Sequence, residues 1–321
     1  MHAMVVTKPG GPEAMSWSEL PDPQPGSGDA VIDVAAAGVN FIDTYHRSGL
    51  YPMALPFTPG AEGSGTVAAV GEGVETVAVG DRVAWTGSPG SYATRAVVDA
   101  ESLLTVDDNV DLIEAAAVPI QGMTAHYLAH DTFPLEPGHR CLVHAAAGGT
   151  GRLLVQMAKR LGAEVFATVG TPEKADLARS AGADHVINYR EEDFTAAIEA
   201  IAGPRPLDVV YDGVGATTFQ GGLALLRARG MMVTFGNASG PVEPVSPLAL
   251  SEGSLYLTRP RLWDYISTRA ALTARADEVF GWLTSGQLEL HIGHRMPVAD
   301  AVEAHRMLEA RATTGKVLLT T

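Results

Sequence analysis

The stretch RCLVHAAAGGTGRLLVQMAKRLGAEVFATVGTPEK, from Arg140 to Lys174, decides the fold. It opens with a short apolar run, Cys141 to Ala145, which has the length and polarity of a strand buried in a parallel sheet. After a turn of small residues, apolar side chains recur at helical spacing from Leu153 to Leu161. A second apolar run, Glu164 to Thr168, follows. This order predicts a strand, a helix and a second, parallel strand.

Three glycines fill the turn between the first strand and the helix. Gly148, Gly149 and Gly151 lie where missing Cβ atoms let the backbone approach a pyrophosphate, which the N–H groups of the first helical turn then face. The first position of the usual three-glycine motif is Ala146 here. The motif alone is therefore weak evidence, and a tight turn that binds nothing is the alternative.

The residues after the second strand favour NADP(H) over NAD(H). An NAD site usually has Asp or Glu there, which accepts a hydrogen bond from the ribose 2′-hydroxyl. This chain has VGTPEK, in which Thr171 and Lys174 suit a 2′-phosphate. Glu173 follows Thr171 and Pro172, so it is expected in the first turn of the next helix, where its charge favours the helix dipole. The predicted cofactor is NADPH.

Composition excludes several classes of protein. A chain of 321 residues with 46% hydrophobic residues can bury a large core and is expected to form two domains. A net charge of −15 disfavours a nucleic-acid or anionic-membrane surface. The single cysteine, Cys141, excludes an internal disulfide and is expected in the core. We find neither a membrane-spanning run nor a signal-peptide pattern, so a cytoplasmic location is expected.

Pattern changes along the chain predict two domains, 1–123 and 124–260, with a tail, 261–321, that returns to the first. The first 123 residues are rich in Gly, Pro and short β-like runs. A helix from Thr124 to His130 is expected to carry the chain across, and the tail contributes two helices and a last strand, Lys316 to Thr320. Six strands of the middle domain are predicted near residues 141–145, 164–168, 185–187, 208–211, 231–235 and 254–257.

Several strings in one order resemble a known family from end to end. The chain is similar to the zinc-free, zeta-crystallin-like quinone oxidoreductase branch of the medium-chain dehydrogenase/reductase superfamily. This resemblance implies an α/β fold: a GroES-like, β-rich catalytic domain completed by the tail, and a Rossmann domain with a doubly wound, parallel six-stranded sheet. The strings are Gly38 to Tyr45, Arg47 to Pro52, His144 to Gly151, Val169 to Thr171, Ile187 to Arg190, Phe235 to Asn237 and Arg311 to Thr313.

The resemblance implies that no metal is used. Zinc relatives carry a ligating Cys where this chain has Asn40 and a His where it has Ala61, so two of about three ligands are missing. His126 and His130 are one helical turn apart, but without an acid between them they are not expected to hold a metal. Lys316 stands where some relatives have a small residue and is expected on a solvated edge strand.

The family also assigns functions to residues of this chain. Near the nicotinamide and substrate it implies Asn40, Asp43 and Tyr45, with Tyr51 at the mouth of a cleft; the alternative is a structural polar cluster. The amide of Asn40 or the hydroxyl of Tyr45 could stabilise the negative charge that develops on the substrate oxygen. Thr124 is expected to start a helix near the nicotinamide. The other implied cofactor contacts are Asn40 itself, Gly148, Gly149 and Gly151 at the pyrophosphate, Gly170, Thr171, Lys174, Tyr189 and Arg311 at the adenosine end, and Val214, Phe235, Gly236 and Asn237 at the nicotinamide.

The reaction implied is NADPH-dependent reduction of a quinone or a conjugated carbonyl acceptor. Two alternatives remain: reduction of an activated C=C bond in an enone or enal, and a non-catalytic, crystallin-like role as an NADPH-binding structural protein. Some relatives bind RNA, which the acidic charge disfavours here. Relatives also form homodimers or tetramers, and the run Gly253 to Leu257 is the edge expected to join a homodimer.

Overall fold

The computed structural model describes all 321 residues, which divide into two compact units. The first unit combines Met1–Met123 with Ile266–Thr321, and the second is Thr124–Tyr265. The chain therefore leaves the first unit once and returns to it once.

The return lies after Tyr265, whereas the sequence placed it after Pro260. Tyr265 stays with the second unit because its ring stacks on Tyr127, with ring centroids 4.2 Å apart. Its hydroxyl also shares a 2.9 Å hydrogen bond with Thr132 Oγ1. These contacts hold the short helix that precedes the crossing, and a pattern of charges and apolar residues does not reveal them.

The first part of the chain is β-rich, as expected. Its central strand runs antiparallel to two neighbours, with Ala36 opposite Ser64 on one side and Ile32 opposite Ala96 on the other. The helix that follows this central strand, Phe41–Ser48, ends at Gly49, whose φ of 83° costs a glycine little. The elements are strands β1 (His2–Val6), β2 (Met15–Glu19), β3 (Asp29–Val39), β4 (Glu62–Val70), β5 (Arg82–Thr86), β6 (Arg95–Asp99) and β7 (Leu103–Thr105), and helices α1 (Phe41–Ser48), α2 (Leu112–Ala115) and α3 (Pro119–Tyr127).

The second unit is a doubly wound parallel sheet, which confirms the predicted Rossmann architecture. Its six strands are β8 (Arg140–Val143), β9 (Glu164–Val169), β10 (His185–Asn188), β11 (Leu207–Asp212), β12 (Leu226–Thr234) and β13 (Tyr256–Thr258), in the order β10-β9-β8-β11-β12-β13. Its helices are α4 (Gly149–Arg160), α5 (Pro172–Ser180), α6 (Phe194–Ala202), α7 (Phe219–Leu225) and α8 (Leu262–Tyr265). Cys141 is fully buried in β8, and burial raises the pKa of its thiol to about 12, so it is a core residue as predicted.

The tail completes the sheet of the first unit. It contains α9 (Arg269–Thr284), β14 (Ile292–Pro297), α10 (Ala301–Glu309) and β15 (Lys316–Thr320). β15 pairs antiparallel with β3, with Val317 opposite Val39, so the sheet order is β14-β15-β3-β4-β5-β7, with β6 also on β3. β15 is thus interior to the sheet. The longest helix, α9, has 16 residues, and no helix has both the length and the apolar character to cross a membrane.

Candidate active site

The turn between β8 and α4 leaves the N-terminus of a 12-residue helix without a side-chain cap. Gly148 is the N-cap residue, and its N–H donates to the carbonyl of Ala145, 2.9 Å away, which closes the turn. A Cβ atom at Gly151 would fall against that same carbonyl oxygen, closer than real Cβ atoms come. The first-turn N–H groups and the positive end of the helix dipole can therefore receive an anion.

Replacement of Gly151 by Ala is expected to weaken NADPH binding at least tenfold, because the backbone that cradles the anion must shift. The matched control is Gly281→Ala in α9, where a Cβ meets nothing within 4 Å; we expect it to stabilise the helix by up to about 1 kcal/mol. Fluorescence titration gives the dissociation constant and thermal unfolding gives stability. Equal NADPH affinity in the Gly151 variant and the wild type would contradict a cofactor role for this turn.

The end of β9 is shaped by Thr171 and Gly170. Thr171 caps α5 by accepting a 3.3 Å hydrogen bond from the backbone N–H of Lys174, which lies in the first turn. Hydrogen bonds from its own backbone N–H and from the Thr171 hydroxyl lower the pKa of Glu173, which confirms its predicted place at the helix start. A Cβ at Gly170 would come within 2.5 Å of the hydroxyl oxygen of Tyr189, so this glycine makes room for that ring.

The loops after β11 and β12 are joined by backbone contacts. The Asp212 carboxylate accepts from the backbone N–H groups of Val214 (2.7 Å) and Gly215 (3.0 Å). A Cβ at Gly236 would collide with the carbonyl oxygen of Gly213, so this glycine lets the two loops touch. The backbone N–H of Phe235 donates to the carbonyl oxygen of Asp212 at 2.8 Å. The predicted residues Val214, Phe235 and Gly236 therefore lie together at the carboxyl ends of neighbouring strands, where this fold places ligands.

Arg259 binds the segment Gly236 to Asn237, which follows β12. Its guanidinium donates to the carbonyl oxygen of Gly236 at 3.1 Å and, with the amide of Asn237 turned to suit, to Asn237 Oδ1 at 3.1 Å. The sequence analysis did not select Arg259. A cation that follows the last strand of the sheet is the signal that could have drawn attention to it.

In the first unit, Asn40 precedes α1 and lies in a buried polar cluster. Its Nδ2 donates to Glu62 Oε1 (2.7 Å) and to the carbonyl oxygen of Gly38 (3.3 Å). Its Oδ1 accepts from Lys316 Nζ (3.1 Å) and from Gln121 Nε2 (3.2 Å). Both amide hydrogens of Asn40 are thus donated within the cluster, and none is left for a substrate oxygen.

The prediction that Lys316 lies on a solvated edge strand is wrong. Lys316 is buried, and its ammonium pairs with the buried carboxylate of Glu62. The physical reason has two parts: β14 pairs with the outer side of β15, so β15 is not an edge strand, and the side chain of Lys316 points to the face of the sheet where the buried carboxylate of Glu62 lies. The other carboxylate oxygen of Glu62 accepts from the backbone N–H of Ile120 at 2.7 Å.

Asp43 is fully buried and binds three donors. Its carboxylate accepts from the N–H groups of Asn40 (2.9 Å) and Ala61 (3.1 Å) and from the hydroxyl of Tyr92 (3.0 Å). Burial, opposed by these hydrogen bonds, raises the pKa of Asp43 to about 7. Tyr92 Oη is also 3.1 Å from His305 Nε2. Asp43 therefore fixes the backbone at Asn40 and Ala61 and orients the hydroxyl of Tyr92.

Four other residues were predicted near the cofactor and substrate: Tyr45, Tyr51, Thr124 and Arg311. Tyr45 and Tyr51 lie together, with ring centroids 5.3 Å apart in an edge-to-face arrangement. Thr124 does not start a helix, because α3 begins earlier, at Pro119, and Thr124 lies inside it. A proline at the first helical position is favourable, which explains the earlier start. Arg311 belongs to the first unit and Thr124 to the second.

No group of three or more His, Cys, Asp or Glu side chains is arranged to hold a metal ion. His126 and His130 stack on each other, with ring centroids 4.3 Å apart. His130 Nδ1 is 2.9 Å from the carbonyl oxygen of His126, so this side chain contacts the backbone four residues earlier in the chain.

Comparison with known proteins agrees with this architecture. The family described as "Alcohol dehydrogenase GroES-like domain" matches residues 26–108, and "Zinc-binding dehydrogenase" matches residues 149–272. A quinone oxidoreductase of Pseudomonas aeruginosa is 44% identical over 313 residues, 97% of this chain and 96% of the relative. A 2-haloacrylate reductase of a Burkholderia species is 39% identical over 327 residues, 99% of this chain and 98% of the relative. The crystal structure of Escherichia coli quinone oxidoreductase complexed with NADPH superimposes with a TM-score of 0.97 at 40% identity, covering 100% of both chains. The chain belongs to the quinone oxidoreductase branch of the medium-chain dehydrogenase/reductase superfamily.

Proposed function

We propose that this protein is an NADPH-dependent quinone reductase. Two features at the carboxyl ends of β8 and β9 carry the proposal. The first is the N-terminus of α4, which has no side-chain cap, and the second is Lys174 after β9, where an NAD site would have an acid that binds the ribose. The Pseudomonas relative is named a quinone oxidoreductase, and the Escherichia coli structure of that name contains NADPH. When bound, NADPH would supply two electrons and a proton together as hydride.

Different residues are proposed to bind different parts of the cofactor and the substrate. Lys174 and Thr171, with Gly170, Tyr189 and Arg311, are proposed to hold the adenosine end and its 2′-phosphate, because a cation and a hydroxyl complement that anion. Tyr45 and Tyr51, with the cluster of Asn40 and Asp43 behind them, are proposed to face the quinone. The pyrophosphate and nicotinamide contacts are Gly148, Gly149, Gly151, Thr124, Val214, Phe235, Gly236 and Asn237.

We propose that the reaction needs no metal ion. In the Asn40 cluster, Asn40 Oδ1 and Glu62 Oε1 are oxygen atoms of a kind that ligates cations, but the ammonium of Lys316 already binds both. The chain instead has to orient the cofactor and the acceptor and to exclude water, which are contributions that proteins make to cofactor chemistry.

The test is loss of NADPH absorbance with a simple benzoquinone, compared with NADH as donor and with Lys174→Ala. We expect the variant to raise KM for NADPH roughly 10- to 100-fold, since a charge-assisted hydrogen bond contributes about 1.5 to 3 kcal/mol. The KM for NADH, which lacks the phosphate, should stay unchanged, as should both constants in the exposed control Lys8→Ala. A wild type that prefers NADH would refute the 2′-phosphate site.

One second candidate has a specific observation in its favour. The Burkholderia relative is named a 2-haloacrylate reductase, and a haloacrylate carries an activated C=C bond. An enone or haloacrylate in the same assay separates the two reactions, because turnover of the alkene alone would favour the alkene reductase. Tight NADPH binding without turnover of any acceptor would indicate a cofactor-binding structural protein.

We also propose a cytoplasmic homodimer. Strand β13 is at one edge of the parallel sheet, and Tyr256 on it is 56% exposed. An exposed edge with an aromatic side chain suits pairing with a second copy of the chain. The single buried cysteine is consistent with a reducing compartment. Sedimentation equilibrium measures the assembly, and a monomer at micromolar concentration would refute the dimer.

A further inference from the structure

The Asn40 cluster has one member with hydrogen-bonding capacity to spare. A side-chain amide can donate two hydrogen bonds and accept two, and Asn40 makes all four. Gln121, on α3, uses one N–H to donate to Asn40 Oδ1. Its second N–H and its carbonyl oxygen have no protein partner.

Gln121 is also where the cluster meets solvent. Glu62 is 0% exposed, Lys316 2% and Asn40 6%, whereas Gln121 is partly exposed. Gln121 is therefore the member of the set that a molecule approaching from outside can reach most readily. Asn40 itself is shielded.

We propose that Gln121 donates its second amide hydrogen to the oxygen of the substrate carbonyl, where negative charge develops during reduction. This inference rests on the proposed function. Asn40 is then a positioning residue: it holds one amide hydrogen of Gln121, so the direction of the other is fixed before the substrate arrives. A donor oriented in advance stabilises a developing oxyanion more than a mobile one does.

The chemistry balances without a further reactant. The quinone gains two electrons and a proton, transferred together as hydride from NADPH, which becomes NADP⁺. One quinone oxygen then carries the negative charge and accepts the hydrogen bond from Gln121, which keeps its proton. A proton from water completes the hydroquinone.

The experiment measures kcat/KM of Gln121→Met for a series of quinones that differ in reduction potential. Loss of an oxyanion donor should lower kcat/KM roughly 10- to 300-fold for the least easily reduced quinones. The substitution should lower kcat/KM less for the most easily reduced quinones, whose reduced oxygen is stable without a hydrogen-bond donor. The plot of log kcat/KM against potential should therefore become steeper, with the NADPH dissociation constant unchanged.

The controls separate a chemical role from a structural one. Gln287→Met changes an exposed glutamine of the same unit and should reproduce the wild-type plot. Gln121→Glu keeps the shape without an N–H donor, so it replaces the Met variant if that one does not fold. A parallel fall for every quinone, or no change, would overturn the role of Gln121 alone. A wild type inert towards all quinones would overturn the proposed function as well.

Discussion

Replacement of Lys316 by Met is expected to lower the free energy of unfolding by about 3 to 5 kcal/mol, because it leaves a buried carboxylate without its counter-ion. Glu62 is fully buried and would keep only the hydrogen bonds from Asn40 Nδ2 and from the N–H of Ile120. Neutral donors do not offset the desolvation of a full charge. The loss would also remove one of the two donors that fix Asn40 Oδ1.

A second substitution identifies the cause. In the double variant Lys316→Met with Glu62→Gln, the buried charge is gone while an acceptor for Ile120 remains, so at least half of the lost stability should return. Lys8→Met, at an exposed position, is the control and should change stability by less than about 0.5 kcal/mol. Urea denaturation followed by circular dichroism measures all of these. A double variant no more stable than Lys316→Met would show that lost packing, not the unpaired carboxylate, causes the defect.

The parts of the fold that local pattern determines were predicted well. The six strands of the second unit are each placed to within a few residues, except β12, which begins at Leu226 rather than near residue 231. Buried parallel strands form continuous apolar runs separated by amphipathic helices, and both signals are contained in short windows of sequence. The turn from β8 to α4 was located by its glycines, and Glu173 by the residues immediately before it.

The polar interior was not predicted, because its partners are far apart in sequence. Lys316 and Glu62 are 254 residues apart, and Arg47 and His305 are 258 apart. Nothing local marks such a lysine as buried, since the same residue type is usual on a solvated strand. Gln121 was missed for the same reason: only the fold brings its helix to Asn40.

The start of α3 shows a second kind of failure. The family resemblance led us to expect that Thr124 begins a helix near the nicotinamide, but Pro119 begins that helix instead. Both residues are plausible starts; the proline is favourable at the first helical position, and the carboxylate of Glu62 also accepts from the N–H of Ile120 in the first turn. A side chain from a distant strand thus supports the same start as the local proline.

A second buried cluster should give two variants with opposite pH dependence of stability. His305 accepts from Arg47 Nη1, with Nδ1 3.0 Å away, while its Nε2 contacts Tyr92, which in turn donates to Asp43. Arg47 also pairs with Glu309 at 2.5 Å. Burial and the charge of Arg47 lower the pKa of His305 to about 3, whereas burial raises that of Asp43 to about 7.

The two shifts act in opposite directions over nearly the same range. Unfolded His305 takes up a proton near pH 6.5 and the folded one only near pH 3, so its contribution to stability is lost as pH falls through that window. Unfolded Asp43 releases its proton near pH 3.8 and the folded one near pH 7, so stability is lost as pH rises through that window. In the wild type these contributions largely cancel.

Removing either Asp43 or His305 should reveal the pH dependence of stability that the other residue causes. Relative to wild type, Asp43→Asn should gain about 2 to 3 kcal/mol of unfolding free energy between about pH 4.5 and pH 6.5, and His305→Gln should lose a similar amount, since one pKa unit corresponds to about 1.4 kcal/mol. Urea denaturation across that range measures each slope, and the slopes are compared because both substitutions also lower stability at every pH. The double variant should recover the wild-type slope. Three parallel curves would mean that Asp43 and His305 keep ordinary pKa values in the folded protein, and that the hydrogen bonds of the cluster offset the desolvation of its charges.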